Sequence, residues 1–197
     1  LNLIEHDMKL QLRLPLPVSI NDLYINQYTW NPKTRSRVPT GKRILSKEGE
    51  KVKKEIIEAA TDQVSKQEWD YEYTKTHYLY MDSIIYFNRK GRDDNNIYKL
   101  NNDALEKIAY DNDSRILTRT QRILYDKKNP RVELVFTPVE YIGIFDDEQM
   151  YGDFVKRCEE CSRYKRNCSI LKAAKEAFIQ DEIVNNVCSS FKEMRSK

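Results

Sequence analysis

The sequence has few glycines, few histidines and no long apolar run, and each shortage excludes something. Five glycines in 197 residues do not make a glycine-rich phosphate loop, and none is arranged as one. A nucleotide cofactor is therefore not expected. The two histidines, His6 and His77, have no serine or cysteine placed to complete a nucleophilic site. No apolar stretch is long enough to span a bilayer, and the start lacks the basic-then-apolar order of a secretion signal. These absences lead us to expect a cytoplasmic protein that stays off the membrane. There is no internal repeat or low-complexity segment, and cysteine is missing until residue 158.

Much of the rest patterns clearly. Met8, Leu10, Leu12 and Leu14 alternate with polar residues, the period of a half-buried strand, which Pro15 and Pro17 close. Residues 18–46 hold Pro32, Pro39 and Gly41 with many polar residues and read as a long irregular segment. Ser46 is positioned to cap a helix over 47–66, with Val52, Ile56, Ile57, Ala60 and Val64 as its apolar stripe. Residues 77–88 read as a strand rich in branched and aromatic side chains. A second helix begins near 95 and carries Ile97, Leu100, Ala104, Leu105 and Ile108. Runs at 116–125 and 131–137 read as a hairpin. Strands joined to two main helices in this order predict an α+β domain with a mixed, largely antiparallel sheet. The shift to cysteine-bearing, helical sequence places a boundary near 140, giving a domain over 1–140 and a helical extension over 141–197.

Two segments carry chemistry. Residues 31–54 contain Lys33, Arg35, Arg37, Lys42, Arg43, Lys47, Lys51, Lys53 and Lys54 against Glu48 and Glu50. A basic block suits a polyanion, and Tyr24, Tyr28 and Trp30 beside it could stack on bases. A solvated loop with anchoring aromatics is the plain alternative. Residues 88–116 place Asp93, Asp94, Asn95 and Asn96 at the mouth of the second helix and Asp111, Asn112, Asp113 and Ser114 at its exit. Asn95, Lys99 and Asp103, spaced by four, share one helix face. Oxygen donors of this kind suit Mg²⁺, and a lysine one turn away suits phosphate. Helix caps and a surface ion pair would explain the same residues. Clustering of acids with Asn and Lys fits metal-dependent phosphodiester chemistry better than glycoside hydrolysis.

Three blocks, in order, give the chain a resemblance to the RusA-like Holliday junction resolvases over roughly residues 8–138. The first is Leu14-Pro15-Leu16-Pro17-Val18-Ser19-Ile20-Asn21 with Tyr24 following. The second is Gly41-Lys42-Arg43-Ile44-Leu45-Ser46 before a basic helix. The third runs Arg92-Asp93-Asp94-Asn95-Asn96-Ile97-Tyr98-Lys99, Asp103-Ala104-Leu105 and Asn112-Asp113-Ser114-Arg115-Ile116. The resemblance implies a homodimeric, Mg²⁺-dependent endodeoxyribonuclease that resolves four-way DNA junctions in recombination and repair, of the type found in bacteria, phages and prophages. It implies Asp93, Lys99 and Asp113 as catalytic residues and Asp93, Asn95 and Asp113 as the metal site. With the basic segment tracking the phosphates of such a junction, Asn21, Arg35, Arg37, Lys42 and Arg43 are expected to contact branched DNA. Asn95 and Asn112 stand where the family has acids, so the site is one anion short unless Asp94 turns in. A junction-binding protein of weak activity is the corresponding alternative, and a structural or regulatory domain without nucleic acid is a third.

The resemblance stops before the tail. Its cysteines follow C-x2-C-x6-C-x19-C at Cys158, Cys161, Cys168 and Cys188. Four thiolates could close a tetrahedral zinc site if the chain ends one helix near Asn167 and folds back. A long helix that packs Cys158, Cys161 and Cys168 as small apolar residues is the other reading.

Overall fold

A computed structural model describes residues 8–166 and 168–194. His6 and Asn167 lie outside the described residues. The chain divides into two compact units at Pro138/Val139.

The first unit opens with strand β1 (Leu10–Pro15), whose alternation buries Leu10, Leu12 and Leu14. A short helix α1 (Ile20–Leu23) follows, with the Ser19 hydroxyl accepting from the Asn21 N–H. Two strands come next, β2 (Tyr24–Asn31) and β3 (Ser36–Leu45), paired antiparallel. Helix α2 (Lys47–Val64) is capped by Ser46, which accepts from the Gly49 N–H at 3.1 Å, as its sequence predicts. Gly49 is required by packing: a Cβ there would sit 2.9 Å from Leu23 Cδ1, so its absence lets α2 close on α1. Strand β4 (Leu79–Phe87), helix α3 (Asn95–Leu105), β5 (Ile116–Tyr125) and β6 (Arg131–Pro138) complete the unit.

The main sheet has the order β1-β6-β4-β5. β1 with β6 and β6 with β4 run antiparallel, and β4 with β5 runs parallel. The fold is thus α+β on a mixed, largely antiparallel sheet. A parallel neighbour needs a crossover, and α3 supplies it between β4 and β5. One face of β4 (Leu79, Met81, Ile85, Phe87) joins Ile56 and Ala60 of α2 and Leu100 and Ala104 of α3 in a single core.

Two expectations change. β5 and β6 are not a hairpin, because β4 lies between them. Phe87 pairs with Tyr125 and Tyr86 with Arg131, so residues 126–130 pass over the end of β4. Two strand spacings are about 10 Å, within reach of five residues. Residues 18–46 are not irregular either. They hold α1 and the β2–β3 hairpin, which turns through Arg35 with a positive φ of 49°. Pro39 sits within β3, as proline can in a ribbon with two edges, and it hides the strand in the sequence.

The second unit contains α4 (Glu148–Glu159), α5 (Ile170–Lys175) and a miniature hairpin of β7 (Ile183–Val184) and β8 (Val187–Cys188). Asp147 caps α4 by accepting from the Met150 N–H. Its tightly buried apolar cluster is Phe145, Phe154 and Ala174. The long helix is absent: α4 stops at Glu159, and residues 160–166 turn. No helix among the described residues is long and apolar enough to cross a membrane.

Candidate nucleic-acid interface and acidic site

The hairpin exposes what its sequence offers. Tyr28 is 55% exposed and Trp30 61%, although large aromatics are usually drawn inward. Trp30 stands opposite Arg37 across the strands, and Lys33, Arg35, Lys42 and Arg43 are exposed on the same ribbon. At its root the Arg43 guanidinium donates to the Tyr24 carbonyl at 3.2 Å and lies 5.5 Å from the Tyr24 ring centroid.

Helix α3 begins where the acids are. Asp93 accepts the Asn95 N–H at 3.0 Å, a local turn that satisfies one free amide at the helix start. Asp93 also lines a polar cleft with Ser19, Asn21, Asp22, Arg92 and Asn96. This puts Asn21 and Asp93 together although 72 positions separate them, and it adds Asp22, Arg92 and Asn96 to the site. Asn96 and Arg92 adjoin the acids in sequence. Asp22 carries no sequence signal, since only the packing of α1 on α3 brings it there.

Lys99 forms an ion pair with Asp103 at 2.7 Å, one turn along the helix. That hydrogen bond raises the lysine pKa, burial opposes it, and Asp103, Tyr24 and Asp113 add to the rise. Lys99 therefore stays charged. Tyr110 is fully buried, and burial pushes its phenol well up, with Asp113, Glu106 and Asp103 contributing. Asp113 follows Asn112, whose side chain accepts the Ser114 N–H at 2.8 Å and so shapes the turn.

Asp94 does not turn toward the cleft. Its carboxylate accepts from the Thr120 hydroxyl, which bonds the Tyr98 hydroxyl, which bonds Ser83. This chain ties α3 to β4 and β5. Burial raises the Tyr98 pKa against the hydrogen bonds from Ser83 and Thr120. Nothing in the sequence flags the chain, because its members come from three separate elements.

The expected cation donors are the carboxylates of Asp93, in the cleft at the start of α3, and Asp113, in the turn after the helix, with the amide oxygen of Asn95. They suit Mg²⁺ in kind, but the charge is small because Asp94 is engaged elsewhere. Among the described residues no three His, Cys, Asp or Glu side chains are gathered closely enough to hold a metal ion as they lie.

In the second unit all four cysteines line one cavity, together with Phe154, Tyr151 and Leu171. Burial pushes the Cys158 thiol up to about 11, and Cys188, Cys168 and Cys161 add to the rise. Cys161 goes the other way. Burial raises its pKa, but backbone N–H groups of Lys192, Arg163 and Tyr164 and the Arg163 charge outweigh that and leave it lowered.

No protein-family model matches this chain, and no curated protein matches it.

Proposed function

We propose that the first unit is a RusA-like DNA junction nuclease, acting as a homodimer on four-way DNA with Mg²⁺. One observation carries the reading: a basic, aromatic hairpin rooted beside a helix face of lysine and acids. The hairpin root at Tyr24 directly follows α1, whose Asn21 and Asp22 share the cleft with Asp93. Exposed Trp30 and Tyr28 would stack on bases, while Arg35, Arg37, Lys42 and Arg43 would neutralise phosphates along the arms. Asn21, in the cleft with Asp93, would orient the strand entering the acidic face.

Asp93, Asn95 and Asp113 would hold the cation, which when bound would supply an activated water and neutralise charge on the scissile phosphate. The rest falls to this chain's own residues. Lys99 would present a fixed positive charge to the developing oxyanion. Asp103 would keep that ammonium protonated and aimed. Tyr98 and Thr120, by holding Asp94 against the sheet, would fix the helix start that carries Asp93.

The engagement of Asp94 with Thr120 favours a second reading, junction binding with little cleavage. Titrating Mg²⁺ onto a labelled four-way junction tests both. Cleavage supports the first reading. Tight, junction-selective binding without cleavage supports the second. Absence of both cleavage and binding would indicate a domain without a nucleic-acid role.

A further inference from the structure

We propose that Cys158, Cys161, Cys168 and Cys188 bind one zinc ion, which closes the fold of the second unit. The four residues come from the end of α4, the turn after it, the residues leading into α5, and β8. Tertiary structure alone assembles them, and it brings all four to a single cavity of about 330 Å³. None is in a disulfide. As the side chains lie, no three of these sulfurs are gathered closely enough to hold a metal ion. Zinc–sulfur bonds of about 2.3 Å require the four side chains that line the cavity to close on one point.

Three further features suit a tetrathiolate site. The first is the core. Phe145, Phe154 and Ala174 are its tightly buried cluster, too little to hold a small domain, which ordinarily takes a metal or disulfides instead. The unit also keeps Lys165 and Ala177 at positive φ outside its hairpin loop, conformations that persist only where the surroundings enforce them. The second is charge. Zinc with four thiolates carries two negative charges, and Lys165, Lys172 and Lys175 line the same cavity. The third is the outer shell. The Lys192 N–H donates to the Cys161 sulfur at 3.4 Å, the kind of bond that orients a ligand for its metal. That contact also ties 192–194 to the turn after α4, where Ser162 donates to the Lys192 carbonyl at 2.7 Å and Cys161 bridges Glu193.

The chemistry balances simply. Each thiol gives up its proton to solvent as its sulfur bonds zinc, with no change of oxidation state. Four sulfur ligands leave no open position, so the ion is structural.

The test uses the full chain purified under reducing conditions. Elemental analysis should find one zinc per chain, and Cys188→Ala should lower that to none. Because that variant can fail to fold for other reasons, the unaltered protein provides a second readout. After zinc is stripped, Co²⁺ should give the sulfur charge-transfer and visible bands of a tetrahedral thiolate site, and added zinc should erase them. All four thiols should resist a thiol reagent until a chelator is added. Iron in place of zinc would overturn the proposal. So would disulfides, or four freely reactive thiols with no metal and no cobalt spectrum.

Discussion

The two units solve the problem of stability differently. Among the described residues, twenty buried side chains form the core of the first, running from Leu10 to Phe136 through the sheet, α2 and α3. In the second, the corresponding cluster is Phe145, Phe154 and Ala174. Burial contributes about 25 cal/mol per Å² of apolar surface, while backbone ordering costs roughly 1–2 kcal/mol per residue. A large core meets that cost, and a cluster of three buried side chains with partly buried neighbours meets far less of it. The contrast teaches where each unit is vulnerable. The first should fail when its core is cut, and the second when its cysteines are disturbed.

The strongest way to break this contrast is to remove metal. If zinc holds the second unit, a chelator should abolish its unfolding transition altogether, while the transition of the first unit keeps its midpoint. Calorimetry with and without chelator measures this. Loss of both transitions would mean that the units are not energetically separate.

Cutting the core should do the opposite. Phe136 is fully buried, with ring centroids 6.4 Å from Trp69 and 5.8 Å from Tyr110. Phe136→Ala should cost the first unit about 3–5 kcal/mol and leave the zinc content unchanged. Denaturant unfolding, paired with metal analysis, checks both halves.

The hairpin sharpens the comparison in function. Arg35→Ala, Arg37→Ala and Lys42→Ala should each reduce the salt slope of log junction affinity by roughly one unit, without altering the stability of either unit. Unchanged slopes would make the basic run a plain solvated surface.

The smallest expected effect concerns pH. Burial raises the Asp82 pKa, but bonds from Arg119 at 2.7 and 2.6 Å and from Gln121 at 2.6 Å outweigh this and leave it lowered. A lowered carboxyl stabilises the fold above its unfolded pKa of about 3.9, and that stability is lost as pH falls through the folded value. Asp82→Asn should therefore cost at most about 1 kcal/mol near neutral pH, because Arg119 is solvent-exposed, and almost nothing in strong acid. Urea unfolding at the two pH values separates these outcomes.

The legible parts of the fold were those set by local pattern. The alternation of 10–14, the Ser46 cap and the stripe of α2 each follow from a few adjacent residues. Strand order did not, since nothing within 116–137 reveals that β4 comes between its two strands. The β2–β3 ribbon was obscured by Pro32, Pro39 and its charges, which signal loop locally while cross-strand pairing decides otherwise. At the site, Asp93, Lys99 and Asp113 stood out as residue types at telling intervals. The meeting of Asn21 with Asp93, and the capture of Asp94 by Thr120, belong to tertiary packing.

That capture makes Asn95 the residue on which the account turns. Mg²⁺-dependent cleavage of a four-way junction by Asn95→Asp, set against the unaltered chain, is the most direct measurement. Restoring a carboxylate should raise cleavage and lower the Mg²⁺ concentration it needs, with junction affinity unchanged. If both proteins leave the junction intact at every Mg²⁺ concentration, the acidic face is not a nuclease site.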